Sequence, residues 1–281
     1  MTRVACQQLA PAIGDLEANR AMCLTAIEEA VDGGAEVIVL PELITSGYMF
    51  ESTEEAAQVA IASDHELLRE WADAAARADV VVIGGFCESD PEGGGRVFNS
   101  AAVVDGGGVR AVYRKLHLWD NEHAIFTAGS QVPPVIDTRV GRIGVIICYD
   151  LEFPELTRSV ALAGAQLLAV PTNWPLFPRP DGERPSEVTI AMATGRINKM
   201  AVACADRLGL ERGQDWTGGA TIVDPDGWVA AESRAPGMVI ADVDLQRALD
   251  KRLTDRADVF GDRRPELYGA VAGASRENPN I

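Results

Sequence analysis

Cys148, Glu42 and Lys115 each stand just past an apolar run, and together they could attack a carbonyl-type carbon. Cys148 closes the run Ile143-Gly-Val-Ile-Ile147 and is followed by Tyr-Asp-Leu-Glu-Phe-Pro-Glu. Thiols are strong nucleophiles once a base takes their proton. Glu42 follows Val37-Ile-Val-Leu40 and one proline. A carboxylate at such a place is partly desolvated, which raises its pKa and improves it as a base. Lys115 ends the pattern Ala111-Val-Tyr-Arg114 and enters a loop rich in aromatic residues. Its ammonium is a compact charge for a developing oxyanion. Glu122, in the same loop, offers a second acid. Taken singly, Glu42 and Lys115 are more readily ordinary strand-end residues, and a free cysteine is most often a small buried apolar group. A thiol–imidazole site is the alternative chemistry, with His117 or His123 as its base.

These residues need elements to carry them. Short apolar runs predict strands over residues 4–9, 37–40, 80–86, 97–104, 109–113, 143–148, 167–170, 201–205, 219–223, 228–231 and 238–243. Many are rich in Val and Ile, as strands covered on both faces should be. Helical spacing appears over 16–31, 66–77, 154–163 and 186–199. Asp15 is an N-cap, Gly33-Gly34 a stop, and Pro154 sits in a first turn, where its missing N–H does no harm. Asn19 is the polar interruption on the first helix. "VVDGGGVRAVY" and "IVDPDGWVA" are hairpin signals. This pattern fits two architectures equally: helices outside two mostly antiparallel or mixed sheets, or one doubly wound sheet.

The 281 residues are 47% hydrophobic and 24% charged, an ordinary globular balance. A net charge of -17 repels phosphate backbones and argues against nucleic-acid binding. No apolar run reaches the ~18 residues of a membrane span. The N-terminus enters a strand pattern without a signal-peptide core, so a cytoplasmic, membrane-free chain is expected. Five cysteines, an odd count without C-x-x-C, point to a reducing compartment, free thiols and no zinc. Three histidines without H-E-x-x-H make a metal enzyme improbable. One domain over residues 1–281 is expected.

The segments "PELITSGY", "FNSAAVVD", "YRKLHLWDNEHAIFTAG", "GVIICYDLEFPELTRSVALAGAQLL" and "GRINKMAVACADRLGLERGQDWTGGATIVDPDG" resemble the nitrilase superfamily of carbon–nitrogen hydrolases. The likeness runs nearly the whole chain, through the tail "DKRLTDRADVFGDRRPELY". It implies a four-layer α-β-β-α sandwich and a Glu–Lys–Cys triad. Carried over by residue, that triad is Glu42, Lys115 and Cys148, with Glu122 as the family's second glutamate. No cofactor and no metal are implied. Lys115 is expected to favour the Cys148 thiolate and, with the Tyr149 N–H, to hold the oxyanion. The motifs are similar to aliphatic and amino-amide amidases and to archaeal-type nitrilases. A small amide is the first substrate class, cleaved through a thioester. A small aliphatic nitrile or an N-carbamoyl amine is next, and a non-catalytic binding member is the least favoured. Glu152 stands where many amidases carry arginine, which suggests a substrate ammonium. Tyr48, Asn173, Trp174 and Phe177 are expected to line the pocket. The resemblance also implies a homodimer or higher homo-oligomer, paired through the helices after Cys148 and Ser186. The tail, about 252–281, is expected to lie on the partner.

Overall fold

Side chains along a strand point alternately to its two faces, and here both faces are covered. A computed structural model describes residues 1–269. The first sheet contains β1 (Thr2–Gln8), β2 (Val37–Val39), β3 (Val81–Ser89), β4 (Val97–Asp105) and β5 (Gly108–Arg114). The second contains β6 (Val135–Thr138), β7 (Gly141–Val145), β8 (Leu167–Pro171), β9 (Ala201–Ala205), β10 (Thr221–Val223) and β11 (Val229–Glu232). The chain then returns to the first sheet with β12 (Gly237–Val243). The strand orders are β12-β1-β2-β3-β4-β5 and β11-β10-β9-β8-β7-β6. Each sheet has a parallel centre, β1-β2-β3 and β7-β8-β9, with antiparallel flanks.

The alternation assigns the layers. Val4, Cys6, Val37, Val39, Val81 and Ile83 face the second sheet and join its apolar residues in one core. Ala5, Ile38 and Val82 face the other way, toward Ile27, Leu68 and Trp71. Those three sit on α1 (Leu16–Asp32) and α2 (Glu66–Ala78). The outer face of the second sheet is covered by α3 (Pro154–Leu162) and α4 (Ser186–Asn198), through Val160 and Val188. The result is the α-β-β-α sandwich, not one doubly wound sheet.

Several local expectations change. The strand expected over 143–148 stops at Val145. The Ile147 N–H donates to the Asp150 carboxylate at 3.1 Å, and Cys148–Glu152 turn as a 3-10 helix. β6 was not expected; it is a short, half-buried edge strand paired with β7. Asn19 is no idle interruption. It accepts from the Ala12 N–H at 2.8 Å and donates to Thr45 O at 3.2 Å, tying α1 to the segment after Glu42.

The segment that leads into the tail packs against its own chain. Lys251 Nζ donates to Asn198 O and Lys199 O at 3.0 and 2.9 Å, at the end of α4. Arg158 of α3 and Lys251 both lie over the Phe260 ring. The lysine bonds satisfy carbonyls that a helix end leaves open. A cleft of about 890 Å³ separates this segment from α3 and α4, lined by Leu162, Ile197, Leu253 and Tyr268 among others. Residues 270–281 of the expected tail lie outside the described residues. Among the described residues no helix is long and apolar enough to cross a membrane.

Gly85 of β3 lets the chain that carries Glu42 pass. Its N–H donates to Pro41 O at 3.0 Å. A Cβ there would stand 2.3 Å from Leu43 N and 2.6 Å from Glu42 Cα, closer than any real contact. Gly85→Ala is therefore expected to cost about 1–3 kcal/mol by overpacking. Urea unfolding checks this; an unchanged midpoint would show that the backbone at Glu42 moves aside freely.

Candidate active site

Glu42 follows β2, Lys115 follows β5, and Cys148 lies just beyond β7, so three strand ends converge. Glu42 and Lys115 are wholly buried. Lys115 Nζ donates to Glu42 Oε1 at 2.7 Å and to Glu122 Oε1 and Oε2 at 2.9 and 2.8 Å. Glu122 opens a short helix, Glu122–Ile125, and its Oε2 also accepts from the Trp119 N–H at 2.6 Å. Asn99 of β4 donates from one nitrogen to Glu42 Oε1 and Glu122 Oε1 at 2.7 and 2.8 Å. Burial pulls the Lys115 ammonium toward neutrality, but Glu122 and Glu42 outweigh it and hold its pKa above the usual lysine range. Burial lifts the Glu42 pKa to about 7, against the pull of Lys115 and with help from Glu122. Glu42 Oε2 is buried and has no hydrogen-bond partner among the described residues.

Cys148 has a φ of 47°, in the left-handed region that disfavours a side chain. Strain of this kind persists only where neighbours impose it. Asp150, fully buried, imposes it here. Its Oδ2 accepts from the Tyr113 hydroxyl at 2.7 Å as well as from Ile147 N. Its Oδ1 accepts from His117 N at 3.0 Å and from His117 Nδ1 at 2.7 Å. The turn holding Cys148 is thus fixed to β5 and to the Lys115 loop. Cys148 Sγ lies 3.8 Å from Asn173 O, and Asn173 Nδ2 donates to Glu42 O at 2.9 Å. Asn173 therefore joins the glutamate and cysteine segments.

A model of the carbon–nitrogen hydrolase family matches residues 3–252. The nitrilase of Pyrococcus abyssi is 35% identical over 95% of this chain and 99% of its own. An (R)-stereoselective amidase from a Pseudomonas species is 33% identical over 93% of this chain and 91% of its own. The crystal structure of an amidase from Nesterenkonia sp. superposes with a TM-score of 0.78 at 29% identity, covering 95% of both chains. The chain belongs to the carbon–nitrogen hydrolase family. Structures of an amidase from Nesterenkonia sp. AN1 include a Glu-to-Gln mutant with acrylamide added to its active-site cysteine and a Cys-to-Ala mutant in complex with butyramide.

In this family member neither imidazole is set to serve Cys148. His117 is engaged by Asp150 and stacks on Phe153, with centroids 3.5 Å apart, and His123 is exposed. The thiol–imidazole alternative is set aside on that geometry. A second expectation also changes: Lys115 does not create a thiolate in the resting site. Burial, then Glu42, raise the Cys148 pKa well above the usual thiol value, and the ammonium only partly opposes them.

The expected lining residues divide. Tyr48 lies at the carboxylates, since burial, then Glu122 and Glu42, all raise its phenol pKa; its ring meets Trp216 edge-on at 5.2 Å. Tyr149 meets Trp119 edge-on at 4.8 Å, and Trp119 in turn faces Phe177 at 6.3 Å. These rings stand between the Glu122 and Cys148 segments, with half-exposed Phe177 outermost. Trp174 is buried against Gly219 and supports the wall from behind. Glu152 is a correction. It is exposed, and burial and Glu187 raise its pKa, with no influence from Glu42 or Lys115. The 3-10 turn buries Asp150 and Leu151 and carries the next residue outward.

Asn99, Asp150 and Asp206 were not singled out from the sequence. Asp206 accepts from Thr172 Oγ1, Trp174 N and Gly219 N at 3.1, 2.9 and 2.8 Å, which fixes the segment bearing Asn173. Burial raises its pKa to about 6. Only the adjacency of Asp150 to the cysteine motif was a signal; Asn99 looks like any polar residue in a strand. Among the described residues no group of three or more His, Cys, Asp or Glu is arranged to hold a metal ion.

Access separates the five thiols. Cys148 is 6% exposed, and Cys6, Cys23, Cys87 and Cys204 are at 0%. Iodoacetamide is expected to label Cys148 first, by access rather than by a lowered pKa, and slowly for a thiol at neutral pH. Peptide mapping that finds another cysteine labelled first would overturn this order.

Proposed function

We propose that the protein hydrolyses a small primary amide to a carboxylate and ammonia through a Cys148 thioester. The observation that carries this reading is the buried Glu42–Lys115–Glu122 network beside Cys148, with a Glu42 pKa of about 7. A group with such a pKa can both accept and return a proton near neutrality. Because the resting thiol is neutral, its proton passes to Glu42 as the sulfur–carbon bond forms. The oxyanion is held by the Lys115 ammonium and by the Tyr149 N–H, which donates to no acceptor among the described residues. Glu42 then protonates the leaving nitrogen, the C–N bond breaks, and ammonia departs. Water adds to the thioester while Glu42 takes its proton, and Cys148 leaves as the acid forms, recovering a proton from Glu42. Glu122 keeps Lys115 charged and oriented.

Glu42 Oε2 and Asn173 Oδ1 are buried acceptors without donors. A primary amide brings N–H groups to such acceptors, and a nitrile brings none. Buried acceptors left unpaired penalise the ligand that lacks donors. The butyramide complex of the Cys-to-Ala mutant of the Nesterenkonia sp. AN1 amidase supports the amide reading. A nitrilase is the second reading, favoured by the Pyrococcus relative; a nitrile would give a thioimidate on the same cysteine. With Glu152 facing outward, no ammonium on the substrate is required.

Ammonia release from aliphatic amides, amino-amides, N-carbamoyl amines and nitriles, measured side by side, tests the substrate class. Turnover is expected on plain amides, and a nitrile preference would move the assignment to the second reading. Cys148→Ala is expected to abolish release, and Glu42→Gln to lower kcat by about 10²–10⁴-fold. Appreciable turnover by Cys148→Ala would sink the thioester route.

The base must be ionised, so kcat/KM is expected to fall as pH drops below about 7, where Glu42 takes up its proton. The upward shifts of Cys148 and Lys115 leave no basic limb near neutrality. A plateau extending unchanged well below that pH would exclude Glu42 as the base.

The same reading takes residues 1–281 as one hydrolase domain, paired with a second copy through α3 and α4. Light scattering is expected to report at least a dimer at micromolar protein, and a monomer would refute the pairing.

A further inference from the structure

Both donors that reach Glu42 fall on the same oxygen. Lys115 Nζ and Asn99 Nδ2 each lie 2.7 Å from Oε1, and Oε2 is left without a partner. An oxygen that accepts two such bonds is the poorer proton acceptor, because protonation there must displace a donor. Lys115 alone does not impose this choice. Its ammonium sits on a flexible stem and is shared among three carboxylate oxygens. Asn99 is different. It is 1% exposed, it lies in the β3–β4 ladder opposite Cys87, and its carbonyl accepts from the Lys115 N–H at 2.9 Å. Its amide is therefore registered to the lysine backbone and placed between the two carboxylates. Its own Oδ1 has no partner among the described residues, so the recorded hydrogen bonds of the side chain are those two donations.

We propose that Asn99 is a positioning residue that decides which oxygen of Glu42 serves as the base. By occupying Oε1 it stops the carboxylate from rotating and leaves Oε2 for the thiol proton and, later, for the leaving nitrogen. The inference rests on the hydrolysis proposed above. The charged and titratable groups that act on Glu42 or feel its charge are Lys115, Glu122, Cys148, Tyr48 and Arg207. Among the hydrogen bonds to Glu42, the one from Asn99 also favours the ionised carboxylate. Its loss must therefore raise the Glu42 pKa further.

The test compares wild type with Asn99→Leu, which keeps the approximate shape and removes both donors. Two readouts are taken across pH: kcat and KM on an amide that wild type hydrolyses, and the rate of iodoacetamide capture of Cys148, which needs no substrate. Asn99→Leu is expected to lose about tenfold to a hundredfold in kcat, the worth of one hydrogen bond to a charged group. KM should change little, and the acid limb should move to higher pH in both readouts. A merely structural role would lower thermal stability or the active fraction and scale the rate without moving the limb. A folded Asn99→Leu protein with an unmoved limb overturns the proposal. Should that variant fail to fold, Asn99→Ser decides: its hydroxyl can serve only one carboxylate at a time, so a smaller shift in the same sense supports the proposal and no shift overturns it. Wild type that releases no ammonia from any amide or nitrile overturns the hydrolysis reading beneath it. An active wild type with an unmoved Asn99→Leu profile overturns the role of Asn99 alone.

Discussion

A wholly buried ammonium between two buried carboxylates is the constraint on which the rest of this structure depends. Moving such ions out of water costs several kcal/mol each, and their attraction recovers that only with close geometry and satisfied hydrogen bonds. Lys115 has both, with three carboxylate contacts between 2.7 and 2.9 Å. Glu42, Lys115, Asn99 and Glu122 come from the end of β2, the end of β5, the body of β4 and a loop helix. The first sheet must therefore hold its register for the ammonium to meet both carboxylates. Removing Lys115 leaves two buried carboxylates without a counter-ion, so the network constrains the sheet as well as the site.

The second constraint is backbone strain. Three of the six non-glycine residues with positive φ among the described residues stand at the site, while Asp79 and Lys199 close helices and Arg212 sits in a turn. Leu43, Asp120 and Cys148 all have φ between 45° and 48°. Each is next to, or within two residues of, a member of the charged network or the thiol itself. None is glycine, so each conformation must be imposed from outside. Buried polar side chains supply much of that imposition. Asn19 holds the segment after Glu42, Asp150 holds the turn at Cys148, and Asp206 holds the strand end bearing Asn173. The apolar layers give the sandwich its cohesion. These three residues convert that cohesion into fixed positions at the strand ends.

What the sequence disclosed follows from these two kinds of force. Elements were legible because burial on both faces writes short apolar runs into the chain, as in Val4, Ala5 and Cys6. Layer assignment was not legible by pattern, because strands covered on both faces look alike in one sheet or two. Glu42, Lys115 and Cys148 were visible as polar residues ending apolar runs. Asn99 sits inside such a run, where only the three-dimensional register sets it beside two carboxylates. Glu152 misled because its neighbours in the motif are buried. In a 3-10 turn one further residue rotates the side chain by about a third of a turn, enough to send it from the wall to solvent.

The neutral resting thiol ties these strands together. A buried cysteine ringed by two glutamates is held as a thiol even though a lysine is adjacent, since desolvation and Glu42 outweigh the ammonium. Lys115 favours the thiolate, but with two carboxylates on its ammonium it does not prevail over burial and Glu42. Its positive charge is already committed, and only a new negative charge formed on a bound substrate makes a further claim on it. In the proposed reaction the nucleophile is therefore generated only as the substrate carbonyl accepts the sulfur. Since thiolate character governs oxidation and alkylation, the raised pKa of Cys148 slows both. The network that makes burial of Lys115 tolerable is thus also what delays activation until a substrate is in place.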